Sequence, residues 1–187
     1  FVVLCRSTAQ AHEAMRKLKE ILGALRLELH PDKTRIVELG VHGDGFVFLG
    51  CHLRLVRSVF KHRTYLFRWP STRAMNAIRT RIREITSRRR WAWVHDLDLV
   101  IAELNPVLRG WGNYFRTGNA SDEFNAVDKY VTERLTRLLA SWYRRLHRRD
   151  RPRPFRLRDW PHARFVKEHG LYKLLGTIRY PGGANAA

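Results

Sequence analysis

Apolar positions in the first part of the chain fall into strand-like runs and one helical stretch. The chain begins with FVVLC, an apolar run rich in β-branched and aromatic residues, which predicts a buried strand. Apolar residues then recur every three to four positions over 11–25, which predicts an amphipathic helix capped by Ser7 or Thr8. Three further β-rich runs follow, KTRIVELG, FVFLGCHLRLV and RTYLFRWP, with a glycine-containing turn at 43–45 between the first two. The order strand, helix and three strands predicts an α+β domain over residues 1–70.

A helical period replaces this pattern over residues 71–149. Three apolar seams predict three amphipathic helices of about 17–27 residues, which is typical of a small helical bundle. The seams are Met75, Ile78, Ile82 and Ile85; then Leu97, Ile101, Leu104, Leu108, Trp111 and Phe115; then Phe124, Val127, Val131, Leu135, Leu138 and Trp142. We expect Ser121 to cap the third helix, and Asn105-Pro106 either to start the second helix or to kink a longer one. Residues 150–187 favour a basic, proline-punctuated linker and a short tail that is rich in glycine at its end.

The charge of the chain indicates the class of partner that it binds. Lysine and arginine number 36 against 17 Asp and Glu, which gives a net charge of +19 and a pI near 11.2. Residues 1–53 hold 7 basic and 6 acidic side chains, a net of +1, whereas residues 54–187 hold 29 and 11, a net of +18. Such an excess favours nucleic acid or an anionic membrane surface, and no apolar run approaches the roughly 20 residues of a membrane span. The two cysteines and nine histidines show neither disulfide nor metal spacing. We therefore expect a cytoplasmic protein that binds nucleic acid, not membrane, and that holds no metal.

The basic helices supply candidate contacts with RNA. The third helix carries seven cations, namely Lys129, Arg134, Arg137, Arg144, Arg145, Arg148 and Arg149. Some complement the helix dipole, but seven cations against two early acids favour a phosphate-binding surface. In LNPVLRGWGNYFR, Gly110 and Gly112 each cost the helix about 1 kcal/mol, which indicates a close approach by another helix or by RNA. The candidate RNA-binding residues are Arg79, Arg83, Arg109, Asn113, Tyr114, Arg116, Arg134, Arg137 and Arg145.

Several of these motifs together resemble a known family. FVVLC, LELHPDKTRIV and FVFLGCHL are similar, in that order, to the end of a reverse transcriptase palm. LNPVLRGWGNYFR resembles the group II intron maturase-specific region, which serves as the polymerase thumb, and the GLY and RYPG motifs near the end are similar to the close of that family. Over nearly its whole length the chain resembles the C-terminal part of a bacterial group II intron-encoded reverse transcriptase/maturase. The implied fold is an α+β palm remnant over residues 1–70, an all-α three-helix thumb/maturase bundle over 71–149, and the linker and tail over 150–187.

The resemblance also implies where polymerase chemistry would reside. In the family, the FVVLC strand follows a Tyr-Ala-Asp-Asp hairpin whose two carboxylates hold Mg²⁺, so we expect that hairpin ahead of Phe1. We expect this chain alone to bind no Mg²⁺ and to be inactive as a polymerase. Lys33 is a candidate for steadying the incoming triphosphate or protonating the leaving pyrophosphate, the alternative being a solvated turn lysine. Phe48, Leu49 and Gly50 correspond to a primer grip in which Gly50 would admit another backbone, the alternative being an ordinary hairpin bend.

The partners implied by the resemblance are group II intron RNA and an RNA/DNA template–primer duplex, with a homodimer as a further option. The implied function is support of RNA-directed DNA synthesis and of intron splicing, in which the protein scaffolds an RNA that is itself the ribozyme. Two alternatives stay open, a stand-alone RNA-binding splicing cofactor without polymerase activity and a generic basic helical DNA-binding module. Neither accounts for FVVLC, HPDKT and FLGC in that order, and a preference for RNA over duplex DNA would disfavour the second.

Overall fold

The computed structural model of the chain describes residues 1–41, 43, 45–57, 63–148 and 155–179. The α-helices described are α1 (Thr8–Ala24), α2 (Thr72–Ile85), α3 (Leu97–Phe115), α4 (Ser121–Leu146) and α5 (His162–His169). The strands described are β1 (Phe46–Phe48), β2 (Cys51–Arg57) and β3 (Thr64–Pro70), which form one antiparallel sheet in the order β1-β2-β3. The fold is therefore α+β, as predicted. Two compact units divide it, Phe1–Phe46 with Arg54–Leu66, and Val47–Leu53 with Phe67–Ala187.

The first unit contains α1, which begins where the sequence predicts. The Ser7 hydroxyl accepts a hydrogen bond from the Gln10 backbone N–H at 3.2 Å, which confirms one of the two predicted caps. Arg16 forms surface ion pairs with acidic residues one turn to either side. No side chain of α1 is buried, and Ile21 on the predicted apolar face is 60% exposed. The helix prediction is correct, but the apolar face of α1 contributes nothing to a core.

Two of the predicted strands are absent from the described chain. FVVLC has no regular structure, and its Phe1 and Leu4 side chains are each 81% exposed, so the prediction of a buried strand is wrong. KTRIVELG is also irregular after a single 3₁₀ turn at Pro31–Lys33. A strand is stable only when a neighbouring strand accepts and donates its ladder of hydrogen bonds. No described strand pairs with either run, so their β propensity is not expressed. The middle residue of the turn predicted at 43–45 lies outside the described residues.

The run FVFLGCHLRLV, predicted as one strand, folds back on itself as the β1–β2 hairpin. Its turn is Leu49-Gly50, where φ is 47° and 75°. Two consecutive left-handed residues are what a two-residue type I′ hairpin requires, and glycine adopts that conformation without strain. A methyl group on Gly50 would lie 3.8 Å from Phe115 Cζ, an ordinary contact. Within the protein, the backbone conformation accounts for the glycine, and the close approach of a primer strand at Gly50 stays a prediction.

The second unit buries the three predicted seams. Every seam residue is buried except Trp111, which is partly buried. The helix α2 spans 14 residues, fewer than predicted, and begins after Ser71, whose hydroxyl accepts from the Ala74 backbone N–H at 3.3 Å. The helix α3 begins after Asp96 and continues through Pro106, so Asn105-Pro106 does not start it. All helices of the described ranges fall short of the length and hydropathy of a membrane-spanning segment.

One predicted cap is displaced by a residue. The helix α4 starts at Ser121 itself, and Ala120 occupies the N-cap position with no side-chain hydrogen bond. The acidic side chains Asp122 and Glu123 do lie in the first turn, where the helix dipole favours them. Burial raises the pKa of Glu123 above its usual value. Burial therefore disfavours the ionised carboxylate, whereas the helix dipole favours it.

Part of the chain beyond α4, for which the sequence favours only a linker and a tail, packs into the core. The helix α5 buries Phe165, and the segment after it buries Leu171 and Leu174. A methyl group on Gly112 of α3 would lie 2.6 Å from Leu174 Cδ2, whereas one on Gly110 would meet nothing within 4 Å. The close approach inferred from the two glycines is thus real at Gly112 only. Arg149, residues 150–154 of the predicted linker and the final eight residues of the tail lie outside the described residues.

Candidate nucleic-acid interface

The three residues of the predicted primer grip lie together at the end of the β1–β2 hairpin. The Leu49 carbonyl accepts a hydrogen bond from the Tyr114 hydroxyl at 2.8 Å, and the Gly50 carbonyl accepts one from the Ser71 backbone N–H at 2.8 Å. The turn is therefore fixed between the end of α3 and the start of α2. The Leu49 side chain is left 68% exposed at its tip.

A cleft of about 510 Å³ opens beside this turn. Its walls are mostly carbon, with Arg81 as a cation among them, and come from the turn and from α2 and α3: Leu49, Gly50, Ala74, Ala77, Ile78, Arg81, Val107, Trp111, Tyr114 and Phe115. The indole N–H of Trp111 is buried and has no hydrogen-bond partner among the described residues. Aromatic and aliphatic walls of this kind suit bases and sugars better than phosphates.

The three candidates on α3 and Arg116, which directly follows the helix, have different surroundings. The Tyr114 hydroxyl is engaged by the hairpin turn, and the guanidinium carbon of Arg109 lies 5.4 Å from the centroid of the Tyr172 ring. The Arg116 carbonyl accepts a hydrogen bond from the Arg179 backbone N–H at 2.6 Å, while the Arg116 side chain is partly buried. Asn113 is exposed. Tyr114 thus has an internal role that the sequence did not suggest.

On α4, two of the three candidate arginines bind the protein's own backbone. Arg134 Nε donates to the Thr86 hydroxyl at 2.9 Å, and its Nη2 donates to the Thr86 carbonyl at 3.2 Å, which caps the end of α2. Arg145 donates to the carbonyl of Ala92. Arg137 is exposed and pairs with Glu133 one turn earlier. The candidates on α2 are one turn apart, and Arg83 is exposed while Arg79 is partly buried.

Polar residues that anchor the C-terminal segment were not predicted from the sequence. The Asn105 amide donates to the Gly170 carbonyl at 2.9 Å and accepts from the Tyr172 N–H at 2.7 Å. The buried Asp128 carboxylate accepts the backbone N–H groups of Leu174 at 3.1 Å and Leu175 at 2.9 Å. The position of Asp128 could have indicated this role, because it places an acid within the apolar face of an otherwise basic helix. Asn105 was noted only as a possible helix start, and no pattern pointed to its anchoring role because its partners lie more than 60 residues away.

A second cleft, of about 570 Å³, lies between α4 and α5 and contains His162. The Thr132 hydroxyl donates to the Asp128 carbonyl at 2.9 Å, so it accepts from His162 Nδ1 at 2.8 Å. The Nε2 atom of His162 is then the acceptor nitrogen of the neutral ring, and it is buried without a partner among the described residues. Burial lowers the pKa of His162, with Lys173 acting in the same direction and Asp128 against it.

The remaining predicted site residue, Lys33, lies in the first unit at the end of the 3₁₀ turn and is exposed. It does not begin a strand, so its position is that of a turn lysine, and its proposed role in catalysis stays a prediction. Among the described residues, no three His, Cys, Asp or Glu side chains form a group that could hold a metal ion. The Mg²⁺ expected of a longer enzyme therefore stays a prediction.

Comparison with protein families identifies the helical unit. Residues 75–167 match the sequence model of the group II intron, maturase-specific domain. This range begins within the first turn of α2, covers α3 and α4, and ends within α5. It includes the loop from α2 to α3 and most of the helical walls of both clefts. A search of curated proteins finds no match.

Proposed function

Residues 75–167 place this chain in the family of the group II intron maturase-specific domain, and on that premise we propose that it binds group II intron RNA through the outer surface of its helical unit. The observation that carries the proposal is the arrangement of charge on this domain. Apolar seams face inward, and Arg73, Arg83, Arg88 and Arg89 are exposed on the outside of α2 and the loop after it. Arginine suits this task because its planar guanidinium donates two hydrogen bonds to one phosphate.

A binding titration tests the proposal. Labelled group II intron RNA is titrated with the whole chain at several KCl concentrations, beside duplex DNA of equal length. Changing Arg79→Gln and Arg83→Gln together should weaken RNA binding and lower the salt slope by about 0.7–0.9 for each phosphate that the variant no longer neutralises. Lys17→Gln with Lys19→Gln on α1 removes the same charge and serves as the matched control. Equal effects of the two pairs, or equal affinity for duplex DNA, would refute a dedicated RNA surface on the helical unit.

The finer proposal concerns a longer reverse transcriptase of which this chain would be part. There, α2 to α4 would act as the thumb on a template–primer duplex, and residues 48–50 would hold the primer strand. Two features support this: the turn is fixed by Tyr114 and Ser71, and an apolar cleft for sugars and bases lies beside it. Polymerisation with Mg²⁺ would depend on carboxylates outside the described residues. Primer extension by a longer protein, with Leu49→Ala compared with Val47→Ala, tests the primer contact.

The second candidate is a splicing cofactor that acts without polymerase activity. The helical unit buries its own core, which favours binding that does not depend on a polymerase. Splicing of a group II intron transcript with and without the purified chain tests this function directly. Faster splicing by this chain alone supports the cofactor; RNA binding with no change in splicing supports the thumb. We also propose that the chain can form a homodimer. Measuring the molecular mass of the same sample in solution tests this proposal.

A further inference from the structure

The loop from α2 to α3, RRRWAWVHD, exposes a tryptophan. The Trp93 side chain is 90% exposed, more than any other large hydrophobic side chain in the described chain. Tryptophan ordinarily buries 150–250 Å² and contributes strongly to cores and interfaces. An indole exposed to this extent forgoes that stabilisation in the free protein, and a partner that covered the ring would supply it.

The exposure of Trp93 does not result from a loosely attached loop. The preceding Trp91 is buried and donates from its indole N–H to the Ile85 carbonyl at 2.5 Å. The Trp142 indole N–H donates to the Trp91 carbonyl at 3.1 Å, and Arg145 donates to the Ala92 carbonyl. Two residues beyond Trp93, the His95 ring packs edge-on against Trp142 at 5.5 Å. The backbone on both sides is fixed while the indole between points away from the core.

One arginine contacts this indole, and two more lie earlier in the same loop. The guanidinium carbon of Arg145 lies 5.7 Å from the centroid of the Trp93 ring. Arg88 and Arg89 are exposed at the start of the loop and form no ion pair with any described residue. Arg90, in contrast, pairs with Glu103 at 2.6 Å and lies over Trp91. The one acid of the loop, Asp96, uses its carboxylate to cap α3. The free surface of the loop is therefore aromatic and positively charged.

We propose that Trp93 stacks with an unpaired base of bound RNA and that Arg88 and Arg89 hold the neighbouring phosphates. This inference rests on the proposed function and names the RNA element that this surface takes. A base within a duplex is already stacked on both faces, whereas an unpaired base offers its ring to an aromatic side chain. Arg145 fixes the loop, and its guanidinium lies over the Trp93 ring, so a base would stack on the face that Arg145 leaves open. A ring held in this way favours the planar stacking of a base over the insertion of the indole into a lipid surface.

The test uses the whole chain with two RNA probes, a fluorescein-labelled U₁₂ strand and a blunt 12-base-pair RNA duplex. Trp93→Ala should weaken binding of U₁₂ by about 5- to 100-fold, the range typical of losing one stacked base, and change duplex binding less than twofold. Trp93→Phe, which keeps an aromatic face, should retain most of the affinity. Val94→Ala, an exposed neighbour without a ring, is the matched control and should bind both probes like the wild type.

Salt dependence separates the two parts of the surface. Trp93→Ala should leave the salt slope unchanged, because stacking releases no counterions. Arg88→Gln with Arg89→Gln should lower the slope for U₁₂ by about 1.4, the value for two phosphates on a single strand. The other tryptophans are partly or fully buried, so the fluorescence of an exposed indole comes from Trp93. Binding of U₁₂ should quench this fluorescence in the wild type, and the quenching should vanish in Trp93→Phe.

The outcomes are distinct. Unchanged U₁₂ binding by a folded Trp93→Ala, or equal losses on both probes, overturns the stacking role and leaves the proposed function intact. Absence of any RNA binding by the wild type overturns the proposed function and the stacking role with it. Tight binding of anionic vesicles that depends on Trp93, with no such dependence on U₁₂, assigns the surface to lipid and overturns the inference. Circular dichroism and thermal unfolding confirm that each variant is folded.

Discussion

Two glycines on one helix allow a matched test of how the C-terminal segment packs. Both Gly110 and Gly112 lie inside α3, so alanine at either position should gain about 0.8–1.0 kcal/mol of helix propensity. They differ in surroundings: the added methyl meets nothing within 4 Å at Gly110 and would lie 2.6 Å from Leu174 Cδ2 at Gly112. Leu174 is fully buried, so it cannot turn aside freely.

The magnitude follows from these two terms. Gly110→Ala should raise the free energy of unfolding by about 1 kcal/mol. Gly112→Ala gains the same propensity but incurs an overpacking cost of about 1–3 kcal/mol, so it should be neutral or destabilising by up to about 2 kcal/mol. In a chain of this size each kcal/mol shifts Tm by about 2–4 °C. The two variants should therefore differ by several degrees in thermal unfolding.

A double variant identifies the cause of the difference. Gly112→Ala combined with Leu174→Ala should be more stable than the sum of the two single changes, because the new methyl fills part of the cavity that Leu174 leaves. Additive effects would argue against direct contact between these positions. A stabilising Gly112→Ala, equal to Gly110→Ala, would refute the packing of residues 171–175 on α3.

Two further predictions concern the polar contacts of α4. Arg134→Ala should lower the free energy of unfolding by about 1.5–3 kcal/mol, because it removes charge-assisted hydrogen bonds to Thr86. Arg137→Ala, which removes only a surface ion pair, should change the free energy of unfolding by no more than about 0.5 kcal/mol. Chemical denaturation measures both values, and equal losses would contradict the assigned roles. The lowered pKa of His162 means that, as the pH falls through about 6.5, the unfolded chain binds a proton that the folded chain does not, so the folded state loses stability. Replacing it by His162→Gln should remove that loss, and the Tm advantage of the wild type over the variant should be smaller at pH 5.5 than at pH 7.5; an advantage that grows on acidification would show a raised pKa instead.

Periodicity predicted the helices of this protein better than its strands. The seams from Met75 to Trp142 depend on contacts within and between neighbouring helices, and their spacing alone identifies the buried side. A strand depends on a partner that its own sequence does not specify, and FVVLC shows the consequence: high β propensity with no ladder in the described chain. A hairpin bend at Gly50 was one of the two interpretations of the sequence, and the structure contains it. The φ of 75° that favours glycine at this position could not be predicted from the sequence, because it is a property of the folded backbone.

The sequence predicted that the helical unit has a basic surface, but it did not predict which residues of that surface contact the rest of the protein. Counting arginines identified a basic bundle, but it could not separate Arg134, which caps α2, from Arg137, which lies at the surface. The tail from residue 150 looked like a linker because its apolar residues are few and follow no period. Phe165, Leu171 and Leu174 nevertheless complete the core. The side chains that anchor the backbone of this segment, Asn105 and Asp128, lie far away in sequence.

The anchoring of the C-terminal segment also has a consequence during synthesis. Asn105 and Asp128 bind backbone groups that the ribosome adds 67 and 46 residues later. At about 5–20 residues per second, the bundle helices exist for several seconds before these partners emerge. During that interval, α3 lacks the Leu174 side chain that packs at Gly112, and the Asp128 carboxylate lacks the backbone groups that bind it in the folded chain. We therefore expect the growing chain to need chaperone protection most just before residue 174 leaves the exit tunnel.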